Sequence, residues 1–157
     1  ELAYNWSDWW EPRIALWVNT ASGDGDPNDS RSGHFESLYG ATYGFYGFTS
    51  FFNWENVINP ALHLQISPSH RIAVESIYRL YWLYDPADGW QRTGRLNPAG
   101  NTASFVGSEI DLRFTMRLTK YSSMETGMGL FFPGDYARVT GPAPRASFFY
   151  SAITLKL

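Results

Sequence analysis

The chain contains no cysteine, so it has neither a disulfide framework nor a thiolate metal site. That absence suits a protein that crosses an oxidising periplasm before folding. No stretch approaches the roughly 18 consecutive apolar residues that a spanning helix needs, and mean hydropathy is only −0.30. Such a value counts against a helical membrane protein but not against a barrel, whose polar lumen residues offset its lipid-facing ones. A net charge of −3 excludes an overall basic footprint for nucleic acid, so none is expected as a partner. The opening E-L-A-Y-N-W has no basic n-region and no apolar h-region; any export signal is expected to have been removed, or the sequence to begin within a longer chain. Also missing are G-x-S-x-G, H-E-x-x-H and a phosphate-cradling glycine loop.

Aromatic residues, by contrast, are abundant at 18%, with 7 Trp, 10 Tyr and 11 Phe. Membrane barrels use such rings in girdles at the lipid–water boundary. The segment V-G-S-E-I-D-L-R-F-T-M-R-L-T-K at 106–120 is the most informative. Ile110, Leu112, Phe114, Met116 and Leu118 fall on one parity; Glu109, Asp111, Arg113, Thr115, Arg117 and Thr119 fall on the other. Successive strand side chains point to opposite faces, so this strand has an oily face and an ionic one. Sustained over ten or more residues, the pattern fits a strand crossing lipid with its second face in water.

The same alternation marks seven strands, over about 1–6, 12–20, 57–66, 71–83, 106–118, 122–132 and 146–157. Connections alternate between short turns and long loops at about 21–56, 84–105 and 133–145. Outer-membrane barrels have short periplasmic turns and longer extracellular loops, and one orientation accommodates every connection here. The expected fold is all-β: an antiparallel transmembrane β-barrel. Seven strands are too few to close one, and an open edge in lipid leaves backbone groups unpaired. The chain is therefore expected to be the C-terminal part of a larger barrel, with assembly from several chains as the alternative.

Four stretches, in order along the chain, are similar to the alginate export family of outer-membrane porins. They are W-E-P-R with A-S-G-D-G-D-P-N-D-S, H-F-E-S-L-Y-G-A-T-Y-G-F-Y-G-F at 34–48, V-G-S-E-I-D-L, and G-M-G-L-F-F-P-G-D-Y at 127–136. The resemblance implies a large monomeric barrel of about 16–18 strands in the bacterial outer membrane, passing a polar or anionic solute. The lipid bilayer and the outer-membrane assembly machinery are then the expected partners. The last strand, ending in Leu157, resembles the C-terminal signal read by that machinery, although a terminal Phe is the commoner form.

The inward parity holds Arg13, Arg71, Arg79, Arg113, Arg117 and Lys156 against Glu75, Glu109, Asp111 and Glu125. Charges lining a pore set ion selectivity, and the arginine fork suits carboxylates. One reading makes these residues a pore-lining, anion-attracting stripe; the other makes them an interstrand ladder of ion pairs that stiffens the wall. His63 shares the parity, as a polar filler. Glu109 and Asp111, about 7 Å apart by strand rise, have a spacing compatible with glycoside hydrolysis. The adjacent Arg113 argues instead that both are ionised and paired, and no catalytic residue is assigned.

Asp24, Asp26, Asn28 and Asp29 place oxygen ligands at alternate positions, as Ca²⁺ requires, but lack the distal glutamate of an EF-hand. Backbone turn chemistry is the competing explanation, and no other cofactor is expected. The aromatic segment 35–54, which includes Phe35, Tyr39, Tyr43, Phe45, Tyr46, Phe48, Phe51, Phe52 and Trp54, is expected either to extend as strand above the membrane or to fold inward as a constriction. Trp6, Trp9, Trp10, Trp82 and Trp90 lie near segment ends, where a girdle belongs.

Together these features predict passive passage of a hydrophilic, anionic solute such as an acidic polysaccharide or organic acid. Two rivals remain. One is a sheath around a periplasmic or lumen-bound partner protein such as an electron-carrying cytochrome. The other is a soluble lipocalin-like barrel, which would place the apolar parity inward.

Overall fold

A computed structural model describes residues 1–26, 28–37, 45–97 and 103–156. The strands are β1 Leu2–Asn5, β2 Arg13–Ala21, β3 Val57–Ser69, β4 Ile72–Trp82, β5 Phe105–Thr119, β6 Ser122–Pro133 and β7 Ala146–Leu155, with one short helix, α1 Asp135–Val139. They form a single antiparallel sheet in strict sequence order, β1 to β7, and β1 does not pair with β7. Its length suits a membrane: β2 to β7 run 9 to 15 residues, where about 9–11 tilted residues cross a bilayer. β5 extends one residue beyond the sequence-based bounds at each end.

Register carries the alternation across the whole sheet. Leu2, Leu16, Leu62, Tyr78, Ile110 and Leu130 are paired partners in one continuous row. The next row, Ile14, Leu64, Ser76, Leu112, Met128 and Phe149, is also mostly apolar. These side chains face outward and stay uncovered: Leu112 is 39% exposed and Phe149 69%, whereas Glu109 on the opposite face is 0% exposed. A soluble ligand-binding barrel requires the reverse, so the lipocalin-like rival is excluded by the direction of the side chains. Leaving so much apolar surface bare is tolerable only against a partner or lipid.

Pro60 lies inside β3, where a proline removes a ladder donor. The Asn59 side-chain amide donates to the Leu80 carbonyl at 2.9 Å, across the strand pair that aligns Ala61 with Arg79. The amide thereby occupies the acceptor that Pro60 leaves unserved.

The core lies on the inward face near the long-loop end. Val57, Tyr81, Val106 and Phe131 of the wall pack with Phe52, Trp90 and Tyr136 from the loops. Phe52 stacks on Tyr81 at 3.7 Å with parallel planes, and Trp90 stacks on Phe52 at 5.2 Å. Of the two fates expected for the aromatic segment, inward folding is the observed one: residues 45–56 form no strand and lie over the sheet's inner face. Trp90 is 5% exposed within this core and is not a girdle residue, because its ring caps the inner face and its Nε1–H donates to the Phe51 carbonyl. Trp6, Trp9 and Trp10 are exposed at the short-turn end, while Trp82 packs against Phe105 at 5.1 Å. Tyr39, Tyr43, Pro27 and Leu157 lie outside the described residues.

Candidate functional site: the inward face

Cross-strand alignment brings the inward-parity charges together, and they divide into three zones along the strands. Beneath the 45–56 loop, Glu109, Asp111 and Arg79 are fully buried. Glu109 accepts the Thr49 N–H at 2.9 Å and the Thr49 hydroxyl at 2.6 Å; Asp111 accepts the Phe48 N–H at 3.2 Å. Arg79 Nε donates to Asp111 at 3.2 Å, and its guanidinium stands 5.5 Å from the Trp17 ring. Two glycines permit this contact. Gly47 has φ +98°, and a Cβ there would fall 2.5 Å from Glu109 Oε2; a Cβ at Gly129 would meet Phe48 at 3.0 Å. Burial lifts the Tyr46 phenol to about 12, against the opposing pull of Arg79, so it stays neutral. Its carbonyl accepts the Tyr81 hydroxyl at 2.9 Å.

Expectation and structure therefore part over Arg79, Glu109 and Asp111. They sit on the expected face but line no water-filled surface, because the loop covers them and donates hydrogen bonds to the two carboxyl groups. The glycosidase-like spacing of Glu109 and Asp111 loses its meaning for the same reason.

The second zone lies just beyond the covering loop. Arg113 reaches Glu75 at 3.5 Å and Glu125 at 3.7 Å, and its guanidinium lies 5.1 Å from the Phe48 ring. The Tyr150 hydroxyl donates to Glu125 at 2.5 Å, and His63 approaches Glu75 at 3.7 Å. Here the ion-pair ladder describes the side chains: every charge has an opposite neighbour. Arg13 likewise pairs with Glu1.

At the short-turn end a hollow of about 400 Å³ opens, lined by Arg71, Arg117, Lys120 and Lys156 with His70 and Glu11. Seven Ser and Thr side chains, with Ile72, Ala73 and Tyr121, complete its wall. No ion pair involves these four cations among the described residues. The site expectation included Arg71, Arg117 and Lys156 but missed Lys120 and His70, which lie in the tight turns. Strand parity says nothing about turn residues; the concentration of basic and hydroxyl side chains around 67–71 and 119–123 was the available signal.

In the acidic loop the carboxylates are engaged by neighbouring backbone N–H groups. Asp24 accepts the Asp26 N–H at 3.3 Å, Asp26 the Asn28 N–H at 3.1 Å, and Asp29 the Arg31 N–H at 2.6 Å. Each carboxylate thus closes an Asx turn two residues ahead, and no group of three His, Cys, Asp or Glu converges as ligands among the described residues. The loops are tied to each other instead. Asp88 accepts the Asp24 N–H at 3.0 Å and pairs with His34 at 2.8 Å, while the Asn56 amide donates to the carbonyls of Asp85 and Gly89 at 2.8 Å.

Comparison with known proteins adds one finding: the profile of a family described as alginate export matches residues 1–151. Neither the curated proteins nor the solved structures include a significant match.

Proposed function

Because the chain belongs to the alginate export family, a family of outer-membrane exporters and porins, we propose that it forms part of a barrel wall giving passive passage to a hydrophilic, anionic solute. In this reading the strands cross the outer membrane, the short turns face the periplasm and the long loops face outward. Further strands pair with the open edges of β1 and β7, since unpaired backbone in lipid is prohibitively unfavourable. The solute is an acidic polysaccharide or an organic acid, and the activity is transport rather than catalysis.

The observation that carries the proposal is the hollow at the short-turn end. Four cations line it, and among the described residues none of them forms an ion pair with a carboxylate, Glu11 being the one acidic residue in the lining. Local potential of this kind raises the concentration of anions at a pore mouth. The Ser and Thr wall supplies hydrogen-bond donors and acceptors for a hydroxylated solute. At the other end Phe52, Trp90 and Tyr136 cover the wall's inner face, which favours a solute over the sheath alternative because that stretch of wall is already covered by the chain's own rings.

Reversal potentials of the intact protein in planar bilayers under a salt gradient test the proposal. Anion preference that falls when Arg71, Arg117 and Lys156 are changed to Gln is the expected result. Cation preference, or no conductance, contradicts it.

A further inference from the structure

The charges that remain unpaired differ in sign between the two ends of the sheet. Beyond the Arg13–Glu1 pair, the short-turn end carries Arg71, Arg117, Lys120 and Lys156 against Asp8 and Glu11. Beyond the Asp135–Arg138 pair, the long connections between β2 and β3, β4 and β5, and β6 and β7 carry seven carboxylates against four cations. Between them lie Arg79 and Arg113, each held by carboxylates of the wall.

From this we propose that the pore is bipolar and conducts asymmetrically, with a cationic mouth at the short turns and an anionic mouth at the long loops. The inference rests on the transport reading above and adds a direction to it. A fixed positive region gathers mobile anions, and a fixed negative region gathers mobile cations. When the long-loop side is held positive, anions enter from the mouth that concentrates them and cations enter from theirs. Carriers of both signs then accumulate in the pore and current is high. With the polarity reversed, each mouth faces the ion it repels, carriers are depleted between the two zones, and current falls. The middle zone holds Glu75, Glu109, Asp111 and Glu125 against Arg79 and Arg113, so its surplus carboxyl groups extend the acidic side of the pore and leave the short-turn end as the cationic side.

Screening gives the effect a signature. The Debye length is about 10 Å at 0.1 M salt and about 3 Å at 1 M, so mouth-wide fields survive only at low salt. The inner face is already narrowed by Phe48 and Thr49, which lie over Asp111 and Glu109, and narrowness brings permeating ions within reach of the fixed charge.

The test is the current–voltage curve of single pores of the intact protein in identical salt on both sides. Orientation is assigned by the side from which a membrane-impermeant thiol reagent reaches a cysteine placed by Asp8→Cys in the exposed β1–β2 turn. At ~0.1 M salt the current with the long-loop side positive is expected to exceed the reverse by roughly 1.5-fold or more, and at ~1 M the ratio is expected to approach one. The triple change Arg71→Gln, Arg117→Gln, Lys156→Gln is expected to reduce the ratio. Replacing both arginines by Lys retains it, since the field needs charge and not a guanidinium. A symmetric curve at low salt in the unaltered protein overturns the inference while leaving an anion-preferring reversal potential, and hence the transport reading, intact. Asymmetry of the opposite sense, or asymmetry unchanged in the triple variant, overturns it as well. Absence of conductance removes the transport reading itself.

Discussion

Thr49 holds Glu109 by two hydrogen bonds, from its backbone N–H at 2.9 Å and its hydroxyl at 2.6 Å, across 60 residues of sequence. The contact pins a loop without regular structure onto the inner wall of a sheet whose outer face is apolar. Fully buried carboxylates are costly unless served by donors, and this loop supplies them. Loop and wall therefore stabilise each other.

Replacing Gly47 should release the loop. A Cβ at this position collides with the Glu109 carboxylate, and its φ of +98° disfavours any L side chain. Gly47→Val is expected to raise single-channel conductance, as the constriction withdraws, and to speed protease cleavage near residue 50. Unchanged conductance and cleavage would show that the loop does not narrow the path.

Removing only the hydroxyl is milder. Thr49→Val keeps the backbone donor and the shape but deletes the shorter bond to Glu109. A hydrogen bond contributes about 0.5–1.5 kcal/mol net, so local opening measured by hydrogen exchange at Phe48 and Thr49 should become easier by about that amount. Exchange rates equal to those of the unaltered protein would count against the bond.

Asp88 joins two of the long loops through Asp24 and His34. Asp88→Ala leaves the Asp24 N–H and the His34 ring without their acceptor. A loss of about 1–3 kcal/mol in loop stability is expected, read as faster proteolysis between residues 24 and 37 with the strands unaffected. If cleavage is unchanged, the loops are held by other contacts.

The ladder and the hollow separate by reversal potential. Arg113→Gln breaks approaches at 3.5 and 3.7 Å to Glu75 and Glu125 and should lower stability by about 1 kcal/mol. Its effect on anion preference should be smaller than that of Arg117→Gln, since Arg117 lies in the hollow with no carboxylate pair among the described residues. Equal shifts in reversal potential would mean that paired and unpaired arginines act alike on the permeating ion.

The strands were legible because each depends on a local rule. Ile110, Leu112, Phe114, Met116 and Leu118 announce their face by spacing alone, and the register then follows from tight turns. Contacts that join distant segments were not legible. Nothing near Glu109 indicates that Thr49 will cover it, so parity correctly placed Glu109, Asp111 and Arg79 inward yet could not distinguish a wetted wall from a covered one. Trp90 was misplaced for a related reason: a tryptophan near a strand end suits a girdle or a loop core equally, and only packing against Phe52 decides. Gly129, opposite Asp111 in the register, shows its purpose only once Phe48 arrives against it. The alternating Asp and Asn oxygens of 24–29 match a calcium pattern by spacing, and in the fold Asp24, Asp26 and Asp29 each accept a backbone N–H two residues ahead.

Side-chain orientation in the bilayer is tested most directly by nitroxide scanning of β5 in lipid vesicles. Single labels at 110, 112, 114 and 116 should collide with oxygen dissolved in the acyl chains, and labels at 113, 115 and 117 should instead be reached by a water-soluble nickel reagent. Accessibility alternating in this phase supports lipid outside and water inside. The opposite phase, or positions 112, 114 and 116 shielded from both reagents as in a packed core, would contradict it.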